Sequence, residues 1–456
     1  MGVAVNRERI RVGNGCGFWG DQPDAPILLA QHGRLDFLTL EYLAELTMSI
    51  LAQQRQRDPQ LGYATDFLDV LERLCPLWRD QPNLRIITNA GGLNAISCAE
   101  RACEIVRRHH LRKRIAIVVG DDIQPRLQEL LASGHSLAHL DTGQPLETVI
   151  DRVVCANVYL GAQPIVAALD QGAELVITGR VADASLTVAP AIWTFGWSWT
   201  DWDKLAAATI AGHLIECGAQ VTGGLFSDWT SVPDLANVGY PIAELEWDGT
   251  FRILRPESSG GMVTINTVRE QLLYEVGDPS AYITPEVIAD FTSVTLRALE
   301  PDGVEVRAAQ GKPATETYKV SIAYKDGYIC SGQVVLTGHD AADKARLCAD
   351  IVRSRLHRAG YEPQEYNVEL LGTGDTLPGI WPRTRPPEVV LRLTAWDPRR
   401  PVIERFAREI APLVTSGPSG VCGYATGRPV VREVFAYWPA LLDKSTIKPE
   451  IHMLST

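Results

Sequence analysis

The chain has little positive charge to concentrate. Its 43 Lys and Arg are outnumbered by 55 Asp and Glu, a formal net charge of −12, and no basic stripe interleaved with aromatics occurs. Phosphate binding along a nucleic acid needs clustered cations, so that partner class is excluded. The nine cysteines (Cys16, Cys75, Cys98, Cys103, Cys155, Cys217, Cys330, Cys348, Cys422) include no Cys-x-x-Cys pair and no clustered Cys/His spacing. An odd, scattered set points to reduced thiols and a cytoplasmic location, and away from a disulfide framework or structural zinc. No run of about 18 uninterrupted apolar residues is present. Met1–Arg9 lacks an apolar signal core, so neither membrane insertion nor secretion is expected.

What is present is the composition of a globular protein, 46% hydrophobic and 21% charged. At 456 residues the chain exceeds the size at which one hydrophobic core stops growing, so two domains are expected. In the N-terminal half, short apolar runs at Ile10–Gly13, Leu35–Leu40, Leu84–Thr88, Arg114–Val119 and Leu175–Thr178 alternate with helical patterns. Those patterns cover Tyr42–Arg55, residues 65–78 with Thr65 as N-cap, Cys98–His109, Leu127–Ala132, Thr148–Leu169, Ala184–Phe195 and Trp202–Gln220. Such alternation predicts an α/β fold, a mostly parallel sheet with helices on both faces. The five consecutive apolar residues Ile115, Ala116, Ile117, Val118 and Val119 suit a strand buried on both faces.

From about Tyr240 the texture changes. Alternating runs around Asp248-Gly249, Asp302-Gly303 and Lys325-Asp326-Gly327 read as antiparallel hairpins, and helical patterns return at Ala341–Ala359 and Val402–Leu413. The predicted layout is an α/β domain over 1–235 and an α+β domain over 236–456, the second expected to close over the site. Arg383–Pro387 is the most linker-like stretch.

Four polar clusters follow directly behind predicted strands: Gly13–Asp21, Asn89–Asn94, Gly120–Asp122 and Thr178–Ser185. In open α/β sheets ligands bind at the carboxyl ends of strands, where helix N-termini leave N–H groups unpaired. Four clusters at strand ends of one sheet would line one crevice. In the first, Asn14 is a candidate binding residue, and Gly15-Cys16-Gly17-Phe18-Trp19-Gly20 satisfies the spacing of a dinucleotide loop. Phe18-Trp19 is ill suited to close approach of a pyrophosphate, and no clean helix separates the loop from Asp36 and Glu41. A tight structural turn is an equal reading, and an inert buried thiol is the safer one for Cys16.

Asn89, Gly91, Gly92 and Asn94 offer amides and backbone N–H groups for carboxylate or phosphate oxygens, with helix capping by Asn94 as the equal alternative. Asp121 and Asp122 follow the most apolar strand, where adjacent carboxylates hold a divalent metal, bind hydroxyls or supply a base. One functional and one structural aspartate are expected there. Thr178–Ser185 is the sharpest cluster: Arg180 suits an anionic oxygen, Asp183 orients it or acts as base, and Ser185 caps the next helix or binds substrate. A purely structural Arg180–Asp183 pair competes with this. His213 and Glu216 fall on one helix face, an acid–base pair or too few ligands for zinc. Two further loops, Glu257–Gly261 and Thr415–Gly420, are turn chemistry or site covers.

Taken together, these residues resemble the acyclic terpene utilisation (AtuA-like) family. The resemblance rests on Gly13-Asn14-Gly15 through Gly20-Asp21, Leu43–Met48, Tyr63–Phe67, Asn89-Ala90-Gly91-Gly92, Thr178–Ser185, Gly212–Gly224, Leu272–Pro279 and Thr415–Pro418. It implies work on citronellol- and geraniol-type acids as coenzyme A thioesters. It also implies that a small C-terminal domain of longer members is missing here, to be supplied by a separate small partner chain.

The expectation is therefore a cytoplasmic enzyme, a homo-oligomer, acting on a small acid or acyl thioester by lyase, hydratase or hydrolase chemistry. Asp121, Asp183, His213 and Glu216 are the catalytic candidates. Asn14, Asn89, Gly91, Gly92, Asn94, Arg180 and Ser185 are the binding candidates. No tightly bound cofactor is expected beyond coenzyme A within the substrate, with a divalent metal as an option. The alternatives are a non-catalytic ligand-binding or partner subunit and, more weakly, a nucleotide-dependent dehydrogenase.

Overall fold

A computed structural model describes residues 7–380, 382, 384–423 and 427–456. Most of the Met1–Arg9 stretch, and Arg383 of the linker-like stretch, lie outside the described residues. The chain divides into two compact units, one running up to Ala323 and including Tyr437–Thr456, the other Tyr324–Ala436.

The first unit is built on a ten-stranded sheet. In spatial order its strands are Thr295–Ala298, Val304–Arg307, Phe251–Leu254, Ile242–Glu246, Arg9–Asn14, Phe37–Leu40, Arg85–Thr88, Leu175–Thr178, Arg114–Val119 and Glu450–Ser455. The five central strands, from Arg9–Asn14 to Arg114–Val119, are parallel. Ile242–Glu246 and Glu450–Ser455 pair antiparallel with the two outermost of these. Phe37–Leu40 and Leu175–Thr178 are buried at every position, as strands covered on both faces must be.

The expected fold class is present, but the boundary at 235/236 does not separate the compact units. The predicted hairpins at 244–254 and around Asp302-Gly303 are real, and they extend the N-terminal sheet: Val12 sits opposite Ala243, and Val306 opposite Phe251. The first strand leaves one edge of the parallel sheet unpaired, and the hairpin strands satisfy its N–H and C=O groups. Only from Tyr324 does a separate core begin.

One helix prediction also fails. Within Thr148–Leu169, Ile150–Arg152 is a short 3-10 turn, Val153–Val158 is a strand, and an α-helix begins only at Gln163, running to Asp170. The β-branched valines pair with the long strand Thr317–Thr337, and that tertiary pairing overrides the helical spacing.

The second unit carries an antiparallel sheet of the long strand, Glu388–Asp397 and Glu365–Leu371. Lys325-Asp326-Gly327 lies inside the long strand and makes no hairpin turn. Helices Ala341–Arg358 and Arg400–Ile410 supply Cys348, Val352, Ile403 and Phe406 to a core shared with Leu391 and Leu393 of the sheet.

Candidate active site

The carboxyl ends of the parallel strands open into a cavity of about 460 Å³. The loop behind Arg9–Asn14 contributes Gly17 and Asp21, and the one behind Phe37–Leu40 contributes Glu41 and Glu45. Arg180 and Asp183 follow Leu175–Thr178, and Glu216 ends the helix Trp202–Glu216. Glu275 and Tyr240 complete the polar wall. Arg180 is the one cationic side chain among the described lining residues, against six carboxylates.

Arg180 is 1% exposed. Its Nη1 donates to Asp183 Oδ1 at 2.6 Å and to the Leu43 carbonyl at 2.9 Å, and lies 3.8 Å from Glu41 Oε1. The guanidinium stacks 4.2 Å from the Tyr159 ring centre. Its Nε is buried with no partner. Burial alone would favour the neutral form, but Asp183, Tyr159, Glu41 and Glu45 keep the guanidinium charged.

Its backbone is fixed from below. Asp121 Oδ2 accepts from the Arg180 N–H at 2.8 Å and from Asn157 Nδ2 at 2.8 Å. Gly179 permits this approach, since a Cβ there would fall 2.3 Å from Asp121 Oδ1.

The carboxylates sort by environment. Burial raises Asp183, and the nearby Glu45 carboxylate adds to this while Arg180 opposes it. Burial and the Asp183 charge push Glu41 well above the usual range, although Arg180 and Asn89 pull the other way. Glu41 Oε1 accepts from Asn89 Nδ2 and from the Leu43 N–H (2.9 Å), while Oε2 is buried without a partner. Glu45 behaves oppositely: against its burial, Arg180, the Tyr159 hydroxyl and Lys319 bring it down to about 2.

His213 and Glu216 form a second buried couple. His213 Nε2 lies 2.8 Å from the Gln271 carbonyl, an acceptor only, so Nε2 carries a proton. Nδ1 is 3.0 Å from Glu216 Oε1, and the ring packs against Tyr282 and Phe291. Burial disfavours imidazolium, yet the Glu216 bond outweighs it and raises His213. Burial raises Glu216 too, with His213 opposing. One proton is thus shared across Nδ1 and Oε1, and Glu216 Oε2 stays unpartnered.

The structure gathers Arg180, Asp183 and Glu216 at one cavity with His213 directly behind. The remaining candidates hold the framework. Asn14 Nδ2 donates to the carbonyls of Cys16, Ile215 and Glu216, each at 2.9 Å, tying the first loop to the end of the Glu216 helix. Asn89 is a support: its Nδ2 donates to Glu41 Oε1 and its Oδ1 accepts from the Tyr42 N–H at 2.8 Å.

Gly91 packs against the Thr178 carbonyl and Gly92 takes a positive φ of 51°, so both serve the turn. Asn94 caps its helix through Ser97 N and also binds the Pro59 and Leu61 carbonyls. Ser185 does not cap; its hydroxyl donates to Glu286 Oε1 at 3.0 Å. Asp122 pairs with Arg55 at 3.4 Å, and Cys16 is a buried thiol donating to the Phe18 carbonyl. Among the described residues, no group of three or more His, Cys, Asp and Glu is arranged to hold a metal ion.

Against protein-family models, the model described as "Acyclic terpene utilisation family protein AtuA" matches residues 10–453. The chain belongs to the AtuA family. No curated protein and no solved structure matches it. The AtuA description associates the family with acyclic terpene utilisation, which points to a catabolic role. No helix among the described residues is long and apolar enough to cross a membrane.

In this AtuA chain the sequence reading passed over Glu41, Glu45, Tyr159 and Tyr240 as site residues. Glu41 had a signal, since a carboxylate directly behind the apolar run Phe37–Leu40 sits at a strand end. Tyr159 was hidden because the strand it follows, Val153–Val158, has helical spacing. Tyr240 and Glu275 arrive from distant segments, and only tertiary packing places them.

Proposed function

We propose that this AtuA family protein is an enzyme that moves protons beside the carbonyl of an acyl thioester, as a hydratase or lyase. The observation that supports it is that Asp183 and Glu216 line one cavity, each half-buried and each bound to its own basic partner, Arg180 or His213. Burial raises both carboxyls above the ordinary carboxylate range, the direction that suits a group asked to give and take protons. The two are also linked in one direction: the Asp183 charge contributes to raising Glu216.

In this reading Asp183, kept oriented by Arg180, takes a proton from the carbon next to the thioester carbonyl. The C–H electron pair becomes the new C=C bond. Glu216, its protonated form favoured by burial and its carboxyl held in place by His213, gives its proton to the departing hydroxyl as the C–O bond breaks and water leaves. Hydration runs the same steps backwards. Six carboxylates around one guanidinium repel a free carboxylate, and Arg180 is already bonded to Asp183 and to Leu43. A neutral thioester end suits this lining better than an acid does. Cys16 and Cys217 are raised by burial, which argues against thiolate nucleophiles and hence against acyl-enzyme hydrolysis.

The test is to incubate the protein with a panel of 3-hydroxyacyl- and enoyl-coenzyme A thioesters in D2O. Mass spectrometry then reads deuterium at the carbon beside the carbonyl and the gain or loss of water. Asp183→Asn and Glu216→Gln are each expected to slow turnover by about 10²–10⁴-fold, the usual contribution of a general acid or base. Full activity in both variants refutes the assignment.

A further inference from the structure

A second cavity, of about 250 Å³, lies at the opposite end of the same sheet. Phe37, Arg85 and Arg114 on its wall are the first residues of their strands, whereas the candidate active site follows the last residues. Strands of four to six residues separate the two ends by roughly 13–20 Å at about 3.3 Å per residue.

Two guanidinium groups converge here on the turn before the strand Leu175–Thr178. Arg85 donates to the Ala173 carbonyl and lies 4.6 Å from the centre of the Trp193 ring. Arg114 lies against Gly172, where a Cβ would come within 2.2 Å of its Nη1; with φ of 83° that position suits glycine. Among the described residues, neither Arg85 nor Arg114 has a carboxylate within ion-pair distance of its side chain. The two carboxylates on the wall are taken: Glu174 by Lys113 Nζ (3.0 Å) and the Arg114 N–H (3.1 Å), Asp36 by Arg7 and the Arg11 N–H (2.9 Å).

Two like charges held together at a partly buried site oppose each other: burial lowers the Arg85 pKa and the Arg114 and Arg7 charges add to this, against the Glu174 carboxylate, which raises it. Thr194 also lines the cavity, 2% exposed, and its hydroxyl has no partner. A buried hydroxyl without a partner is costly unless a ligand satisfies it. In a chain of net charge −12 this local excess of cation is a built feature and not bulk attraction.

We propose that this cavity binds a phosphate group, with Arg85 and Arg114 on its oxygens and the Thr194 hydroxyl as a third contact. Guanidinium forks match tetrahedral phosphate oxygens two at a time, and a divalent anion cancels the repulsion between them. The proposal does not depend on the reaction assigned to the other cavity.

The test is isothermal titration of the full chain with inorganic phosphate at pH 7.5 in low-chloride buffer, with malonate and glycerol 3-phosphate as parallel titrants. Saturable 1:1 phosphate binding is expected. Arg114→Gln, on an exposed side chain that threatens the fold little, should weaken it by about tenfold, equal to about 1.4 kcal/mol. Thr194→Val should also weaken it, and both variants should keep the wild-type melting temperature without phosphate. Glycerol 3-phosphate binding as tightly as phosphate, or tighter, extends the site to phosphate monoesters. No saturable binding, equal binding in both variants, or tighter binding of malonate overturns the proposal.

Discussion

Arg180 and Asp183, three residues apart, meet at 2.6 Å at the floor of the candidate active site, and the arginine is 1% exposed while the aspartate opens to the cavity. Such a pair is hard to break from one side. Removing Arg180 takes from Asp183 its donor at 2.6 Å and from buried Glu41 the cation 3.8 Å away. Arg180→Ala is therefore expected to abolish turnover and to destabilise the fold by about 3–5 kcal/mol, as loss of one member of a buried ion pair does. Asp183→Asn keeps a hydrogen-bond acceptor for Arg180 and should lose activity with a smaller stability change. Urea unfolding and thioester turnover, measured on the same two variants, separate the effects.

His213 touches Glu216 and the Gln271 carbonyl, and has no place in the cavity lining. It is a positioning residue that sets the proton on Glu216. Burial raises Glu216, and the histidine opposes that. His213→Gln removes the opposition, so Glu216 titrates at a higher pH and the acid-dependent limb of the kcat profile moves upward. An unshifted pH profile in an active His213→Gln variant would show that the couple does not set the catalytic proton.

Asp121 is raised by burial to about 7, with its partners Arg180 N–H and Asn157 only partly offsetting the cost. The unfolded carboxyl titrates near its ordinary value, so folding favours the protonated form. The associated stability is fully present below about pH 4 and is lost as pH rises to about 7. Asp121→Asn carries no charge to bury and keeps an acceptor oxygen. Its stability should fall less than wild type between pH 4.5 and 7.5 in denaturant titrations, and an identical slope would refute the assignment.

Gly179 leaves room for Asp121 and for nothing more. A methyl group would sit 2.3 Å from Asp121 Oδ1, so Gly179→Ala must displace the carboxylate or the Arg180 backbone. A cost of about 1–3 kcal/mol in unfolding free energy is expected, the usual range for overpacking. Activity should fall with it, because the same shift moves Arg180.

Asn14 gives one amide group to three carbonyls at 2.9 Å. Asn14→Ala should cost about 1–3 kcal/mol by leaving buried carbonyls unpaired. Asn14→Asp should cost more, since it sets a carboxylate against those carbonyls. Thermal melts of the two variants give the order directly.

The strand-and-helix alternation of the first 235 residues was readable because buried strands such as Leu175–Thr178 and amphipathic helices such as Ala95–Arg108 carry their periodicity locally. The same local logic failed at Val153–Val158, whose strand state depends on a partner about 160 residues away in the long strand Thr317–Thr337. It failed again at residue 236, where the hairpin Ile242–Leu254 has the texture of a new domain and the hydrogen bonds of the old sheet.

What the sequence determined by itself is where chemistry gathers: polar, glycine-rich turns behind apolar runs, because strand ends are where a parallel sheet exposes backbone to a ligand. Which of those residues face the cavity was decided by tertiary structure alone. Arg180, Asp183 and Glu216 line it, while Asn14, Asn89 and Asp121 stand behind them as supports. A side chain's direction depends on what packs around it, and the deciding neighbours include remote ones: Asn14 meets the carbonyl of Ile215, and Arg180 that of Leu43.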